Sequence, residues 1–411
     1  MSALGLFALA AAVLVLAPCA ILALECLAAC LPPRRQRLHV VRAPETVVLI
    51  PAHDEEQCLP VALRSIEPEL AESDRVLVVA HNCGDRTAMV ARALGASVLE
   101  VRDDGTGGKP AALVAGLRHL DSDPPEVVVI VDADCRVEKG AIRALAMAAA
   151  ESGGPVQGDY RFASETDDDF GTLSSLALLV KNVVRPLGLT RLGLACLLNG
   201  AGSAYPFRPL RDAPHGEGSI AEDYQLAIDL AKRGFPTRFV PEARVRSVLP
   251  GRHDAALRQR RRWEHGHLAL VSRTAPLLLL RGLFTLDRHV FSLGVDLLVP
   301  PLAFLVLAWT ASAALALADL ALTGRSAATW TVFAAAALLF AGVGSALLRF
   351  AGPRTLIATL RRAPGYVLAK LPLYLGFFAR RETRWRKTER TSTQGAPAAD
   401  ETRHERSGTG S

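Results

Sequence analysis

The chain has 411 residues, half of them hydrophobic and only 21% charged, with a net charge of +6. That length is ample for a large buried core, and the composition excludes both a disulfide-stapled miniature domain and a disordered chain. A mean hydropathy of +0.23 and a pI near 9.1 argue against an ordinary soluble domain; because the arginines cluster beside long apolar stretches, the basic charge points to a membrane surface and away from nucleic acid.

Residues 2–31 carry Glu25 as their one charge. At about 1.5 Å per residue such a helix crosses a hydrocarbon core of roughly 30 Å. A cleaved signal peptide would begin with a basic region, which is absent, and Pro32-Pro33-Arg34-Arg35-Gln36-Arg37 follows directly as a positively charged stop. Residues 1–31 are therefore predicted as a transmembrane anchor and 32–45 as a basic juxtamembrane linker.

From 46 to 250 the pattern is α/β. Residues 46–51, 75–80, 97–101 and 126–131 are aliphatic runs of the kind buried on both faces of a parallel sheet, and helical patterns over 56–71, 86–94, 110–120 and 139–150 fill the slots between them. The fold class read from this is α/β, a Rossmann-like doubly wound domain flanked by transmembrane helices. Such sheets bind ligands beyond the carboxyl ends of their strands, which directs attention to Pro51, His53 and Glu55 after the first strand, to His81, Asn82 and Asp85 after the second, and to Asp132 and Asp134 after the fourth. Side chains two apart in an extended segment point the same way, so Asp132 and Asp134 can aim two carboxylates at one divalent cation. The same spacing at Asp121 and Asp123, or within Asp167-Asp168-Asp169, reads as solvated loop charge.

Gly105-Thr106-Gly107-Gly108-Lys109 precedes a helix and can offer backbone N–H groups and an ammonium to phosphate, although Pro110 departs from the G-x-x-x-x-G-K-[ST] loop of ATPases. Glu222 and Asp223 open an amphipathic helix closed by Gly234; taken alone they do no more than complement the helix dipole. Over 251–289, Gln259, Arg262 and Trp263 share one face of a predicted helix, suited to a pyrophosphate and a ring, while the same basic helix can lie on a membrane surface. The seven cysteines (Cys19, Cys26, Cys30, Cys58, Cys83, Cys135, Cys196) form no C-x-x-C pair and read as reduced thiols.

Two uncharged runs, 297–318 and 326–348, predict a transmembrane hairpin within 290–350. Only Asp319 and Arg325 lie in its connection, whereas Arg258, Arg260, Arg261, Arg262, Arg281 and Arg288 precede it and Arg349, Arg354, Arg361 and Arg362 follow it. This bias predicts a multi-pass protein of the plasma (inner) membrane with its α/β domain in the cytoplasm. Residues 351–390, interrupted by Lys370 and Pro372, read as interfacial or marginally spanning, and 391–411 as a disordered tail.

The ordered set PAHDEE, HNCGDRT, GGKPAAL, VDADC, AEDYQLAIDLAKRGF and QRRRW, spanning about residues 47–263, resembles the inverting, processive-type family 2 glycosyltransferases, the group of cellulose, hyaluronan and poly-N-acetylglucosamine synthases. The resemblance implies a GT-A fold, a nucleotide-sugar donor, usually UDP-linked, and Mg2+ or Mn2+. It implies that Asp132 contacts the nucleoside, Asp134 ligates the metal, Asp223 beside Glu222 is the general base, and Lys109 and Glu55 line the nucleotide pocket. Gln259, Arg262 and Trp263 would close over the pyrophosphate and sugar, and the Asn199-Gly200-Ala201-Gly202-Ser203 stretch would approach the acceptor through Gly200 and Gly202. One position departs: the aspartate that family members carry before the second motif is replaced by His81, preceded by Ala80, so His81 or Asn82 is left to meet the base. The implied acceptor is a glycan, with polysaccharide-export partners, or alternatively a lipid such as a polyprenyl phosphate or ceramide, since three spans are few for a polymer channel. A non-catalytic relative is the third reading, motivated by His81 alone.

Overall fold

The computed structural model describes residues 3–32, 42–103, 108–164, 169–214, 221–249 and 253–379. The basic run at 33–37, Gly105 and Gly107, Asp167 and Asp168, and the tail from 391 lie outside the described residues. After α1 (Ala3–Cys30) come β1 (Thr46–Ala52), α2 (Leu59–Ile66), β2 (Arg75–His81), α3 (Thr87–Ala93), β3 (Ser97–Val101), α4 (Gly108–Leu120), β4 (Val127–Ile130), β5 (Arg136–Val137), α5 (Ala141–Ser152) and β6 (Val156–Ser164). Helix α6 (Asp169–Leu179), a π-helical turn (Val180–Val184) and α7 (Arg185–Arg191) lead to β7 (Ser203–Pro206), α8 (Phe207–Arg211), α9 (Glu222–Lys232) and β8 (Arg238–Leu249). The rest is helical: α10 (His253–Arg273), α11 (Ala275–Phe284), α12 (Arg288–Leu297), α13 (Leu302–Thr323), α14 (Ala327–Phe350), α15 (Pro353–Ala369) and α16 (Leu371–Ala379).

The strands form one sheet in the order β3-β2-β1-β4-β7-β6-β8-β5. Its β3-β2-β1-β4 half is parallel, as the aliphatic runs predict. In β1, Val47 and Leu49 enter the core on one face while Val48, Ile50 and Ala52 enter the other, the period-2 signature of a strand covered on both sides. The other half, for which the sequence makes no strand assignment, is mixed: β7 pairs antiparallel with both β4 and β6, and β6 pairs parallel with β8. The β6–β8 register jumps from Gly158–Val240 to Asp159–Arg244, and beyond that irregularity the two strands continue as a ribbon. Strand β7 enters at Ser203, opposite Ile130 at the end of β4, so the loop before β7 arrives at the edge where β4 delivers Asp132.

Among the described residues, three helices, α1, α13 and α14, are long and apolar enough to cross a membrane. The hairpin starts at Leu302 and not at 297, because Pro300 and Pro301 break the apolar run and leave α12 as a separate helix before it. Helices α15 and α16 have 17 and 9 residues and pack through Tyr366, Val367 and Tyr374 against α6, α10 and α13.

The membrane helices and the sheet domain share packing. Val15, Cys19, Leu22 and Cys26 of α1 join the π turn, α7, Phe239 of β8 and Leu339 of α14 in one cluster. Within it Arg185 donates from Nε to Glu25 at 2.6 Å and from Nη2 to the Asp296 carbonyl oxygen at 2.7 Å, and also pairs with the Asp296 carboxylate. One turn on, Gly188 brings α7 against α1 so closely that an added Cβ would sit 2.0 Å from the Glu25 carbonyl oxygen. Gly188→Ala therefore forces the helices apart, at a cost of about 1–3 kcal/mol. Gly344 in α14 has nothing within 4 Å of the same position, and alanine there is favoured by helix propensity. Thermal unfolding in detergent is expected to show a lowered midpoint for Gly188→Ala and no lowering for Gly344→Ala.

Candidate active site

Strand order reverses direction between β1 and β4, since β2 and β3 lie to one side of β1 and β4 to the other. A crevice opens at such a switch point, and here it deepens into a cavity with about 1550 Å³ of empty space, counting its open mouth. Pro51, His53 and Glu55 line it from the end of β1, Asp132 and Asp134 from the end of β4, Lys109 from the start of α4, Gly200 from the loop before β7, and Glu222 and Asp223 from the start of α9. Gln259, Arg262 and Trp263 close it from α10. Residues far apart in sequence and separately nominated from it thus share one space.

Asp132 and Asp134 are each held by a side-chain partner. Lys109 Nζ donates to Asp132 Oδ1 at 2.6 Å. Burial opposes the charge on Lys109, but Asp132, Asp223 and Glu222 outweigh it and raise its pKa above the usual lysine range. Ser247 of β8 donates to Asp134 Oδ2 at 3.0 Å, and β5 pairs with β8 just beyond, fixing the acidic segment to the ribbon. Burial, then the neighbouring Asp223 charge, pushes Glu222 up to about 7. Asp223 is also raised, by burial first, with Lys109, Lys181 and Arg262 pulling the other way. At Gly200, with φ of +98°, an added Cβ would lie 3.4 Å from Asp223 Oδ2, so glycine keeps the space above that carboxylate open.

Ligand atoms of Asp132, Asp134 and Cys135 lie within 4.8 Å of one another. Two carboxylate oxygens suit a hard divalent cation; the buried Cys135 thiol, raised well above its ordinary value by burial and by both aspartates, stays protonated beside them. Asp54, Cys83 and Asp85 form a second such group, but Asp54 Oδ1 accepts from the Gly84 N–H and Asp85 from the N–H groups of Glu56 and Thr87, so these carboxylates brace loops.

Four nominated residues do not line the cavity. His81 is buried, with Nε2 on Asp103 at 2.7 Å and its carbonyl oxygen accepting from His53 Nδ1 at 2.8 Å. Asn82 donates to Asp103 at 2.6 Å and accepts from its backbone N–H. What these two side chains hold is thus a carboxylate from the end of β3. Asp85 braces α3 as just described, and Gly202, at φ +71°, is pressed against Val245, 2.8 Å from an added Cβ.

Sequence reasoning passed over Tyr160, Phe162, Leu178, Lys181, Asn182, Tyr224 and His267, all of which line the cavity. Tyr160 and Phe162 alternate along the β6 ribbon and reach Trp263 through ring contacts of 4.6 and 5.5 Å. Lys181 sits in the π-helical turn, 5.2 Å from the centre of the Tyr224 ring. A π turn is a frequent mark of a functional segment, but its sequence, VKNVV, carries no motif.

A family model described as glycosyltransferase like family 2 matches residues 44–266. The probable glycosyltransferase YdaM of Bacillus subtilis is 25% identical over 247 residues, covering 57% of this chain and 58% of the relative. The 4,4'-diaponeurosporenoate glycosyltransferase of Staphylococcus aureus is 36% identical over 102 residues, 24% of this chain and 26% of the relative. The chain thus spans less than two thirds of the length of these curated relatives. Among solved structures, the mannosyltransferase PcManGT from Pyrobaculum calidifontis, in complex with GDP-Man and Mn2+, superposes with a TM-score of 0.55 at 18% identity, over 89% of this chain and 99% of that one. The sheet is of the GT-A kind with long apolar helices flanking it, and since the matching model covers more than half of the residues, the chain belongs to the family 2 glycosyltransferases.

Proposed function

We propose that this protein is a membrane-bound inverting glycosyltransferase that moves a hexosyl group from a nucleoside diphosphate sugar to an acceptor hydroxyl, with its sheet domain on the cytoplasmic face of the plasma membrane. The observation that carries the proposal is the convergence of Asp132, Asp134, Lys109, Asp223, Arg262 and Trp263 on one cavity. The Mn2+ and GDP-Man named for the P. calidifontis neighbour fit that donor set. A Mg2+ or Mn2+ held by Asp134 and Asp132 would supply positive charge to the leaving diphosphate.

The chain's own residues account for the rest. Arg262 reaches the same cavity from α10 and offers planar N–H donors to the pyrophosphate as negative charge develops there. Trp263, backed by Phe162, gives the sugar or base a flat apolar face. Asp223 accepts the proton of the attacking hydroxyl, which passes over Gly200, where no side chain blocks the approach. Displacement is in line at the anomeric carbon, so the configuration inverts without a covalent intermediate. His81, whose place in the second motif motivates the non-catalytic reading, instead joins Asn82 in holding the Asp103 carboxylate at the end of β3.

Screening nucleotide sugars for release of free nucleoside diphosphate tests the reading directly. Asp223→Asn is expected to lower transfer by about 10²–10⁴-fold while leaving nucleoside diphosphate affinity intact in calorimetry; full activity in that variant refutes the assignment. Asp134→Ala is expected to abolish the gain in nucleotide affinity that Mn2+ confers, and an undiminished gain places the cation elsewhere. The pH dependence follows from burial: a base works only when deprotonated, and the Glu222–Asp223 pair holds its protons to higher pH than ordinary carboxylates. The acid limb of kcat/KM should therefore lie above the range of ordinary carboxylates, with activity lost as the pH drops through it, and a limb at pH 4 would exclude this pair.

A further inference from the structure

Behind the donor cavity lies a second chamber, with about 780 Å³ of empty space counting its mouth. Leu22 of α1, Ala177 of α6, Ala303 of α13 and Tyr366 of α15 belong to its wall. Because α1 and α13 are long and apolar enough to cross a membrane, this wall draws on two candidate spans. Leu178, Lys181, Trp263 and His267 line both chambers, so one layer of side chains separates apolar space from the sugar-transfer site.

The partition is polar in a particular way. His267 is 5% exposed, and burial, reinforced by the Arg185 and Lys181 charges, pushes its pKa down to about 3, so the ring is neutral. The ring donates to the Leu297 carbonyl, and Nε2, left as a lone-pair acceptor, has no partner. Asn182 Oδ1, on the donor-cavity side, also lacks a partner. Of the two, His267 Nε2 belongs to the wall of both chambers, and a bare buried acceptor there calls for a donor, which a hydroxyl supplies and a phosphate dianion or carboxylate does not. Of the cations along the chamber, Arg185 is matched by Glu25 and Asp296 and Lys370 by Glu264, while Arg260 and Lys181 lie 4.5 and 5.2 Å from the centres of the Phe170 and Tyr224 rings and the Lys181 charge also acts on Asp223.

We infer that the second chamber holds the hydrocarbon chain of a neutral lipid alcohol, whose hydroxyl meets His267 and Asp223 at the partition and is the acceptor of the sugar. The inference rests on the transfer reaction proposed above and names its acceptor class. In the step, the hydroxyl turns its one hydrogen from His267 Nε2 to Asp223 and its oxygen bonds to the anomeric carbon as the bond from that carbon to the diphosphate breaks; the proton passes to Asp223 and the electron pair leaves with the nucleoside diphosphate.

The test uses the full chain in detergent with dioleoylglycerol, ceramide and a polyprenol as neutral probes, dioleoyl phosphatidic acid as the anionic one, and chitotetraose as the soluble one. Glycosylation of a neutral lipid is expected. It should fall at least about tenfold in Ala177→Phe and in Ala303→Leu, two independent plugs that touch the second chamber alone, while Mn2+-dependent nucleotide affinity and the slow release of nucleoside diphosphate in lipid-free detergent stay unchanged. Unchanged lipid transfer in a folded plug variant, transfer to phosphatidic acid and to none of the neutral lipids, or transfer to chitotetraose at wild-type rate in both variants each overturns the inference and leaves the glycosyltransferase reading standing. A wild-type protein that binds no nucleoside diphosphate with Mn2+ overturns both.

Discussion

The interaction on which the site depends is the contact between Lys109 and Asp132, 2.6 Å apart in a desolvated cavity that also contains Glu55, Asp134, Glu222 and Asp223. At an effective dielectric constant of about 20, two unit charges 4 Å apart interact by about 4 kcal/mol, so carboxylates gathered this way repel one another by an amount comparable with the stability of a whole domain. Lys109 meets that repulsion from inside, and Lys181 and Arg262 add to it. A substrate that brings a cation and a ring completes the balance, which is why this cavity reads as built for a ligand and not for stability. Its existence also constrains the topology: only a switch between β1 and β4, with β7 entering antiparallel beside β4, brings the ends of four separate segments to one edge.

The membrane part does more than tether. Glu25, the single charge noticed in the first apolar run, is buried against Arg185, which in turn holds Asp296. Removing a partner from such a triad leaves an uncompensated buried charge, and that is strongly destabilising, so α1, α7 and α12 are fixed relative to one another. The π turn immediately before α7 carries Lys181 into the cavity, and His267 is tied to α12 through the Leu297 carbonyl. The geometry of the site is therefore set in part by helices that sit in or beside the bilayer.

How far the sequence disclosed this follows from the range of each interaction. Strands β1, β2 and β4 were legible because burial on both faces leaves unbroken aliphatic runs, and the exit of β4 pointed to Asp132 and Asp134; β3, expected to be buried on both faces, is a part-exposed edge strand. Strands β6 and β8 were passed over: β6 contains Gly158, Asp159 and Arg161, and β8 alternates exposed arginines with buried residues, a period-2 strand signal outside the aliphatic runs on which the strand assignments rested. His81 looked like a lost contact to the base, because Asp103 meets it only once β2 and β3 pair. Gly202, nominated as an acceptor contact, is instead held by the packing of Val245. Lys181 and His267 had no motif at all, and their placement depends on the packing of α6, α10 and the membrane helices together.

Helix α10 shows how one stretch of sequence serves two chambers. Gln259, Arg262 and Trp263 recur at i, i+3 and i+4 and face the donor cavity, whereas Arg260, Glu264 and His267 recur at i, i+4 and i+7 and reach the second chamber on the adjacent stripe. Trp263 and His267, four apart, fall where the stripes meet and belong to both. A donor that orders the first stripe acts on the same rigid cylinder that forms the wall of the second chamber, and Lys370 fixes that cylinder to α15 through Glu264. The two chambers thus share one helix as a common wall, which places Trp263 and His267 against both.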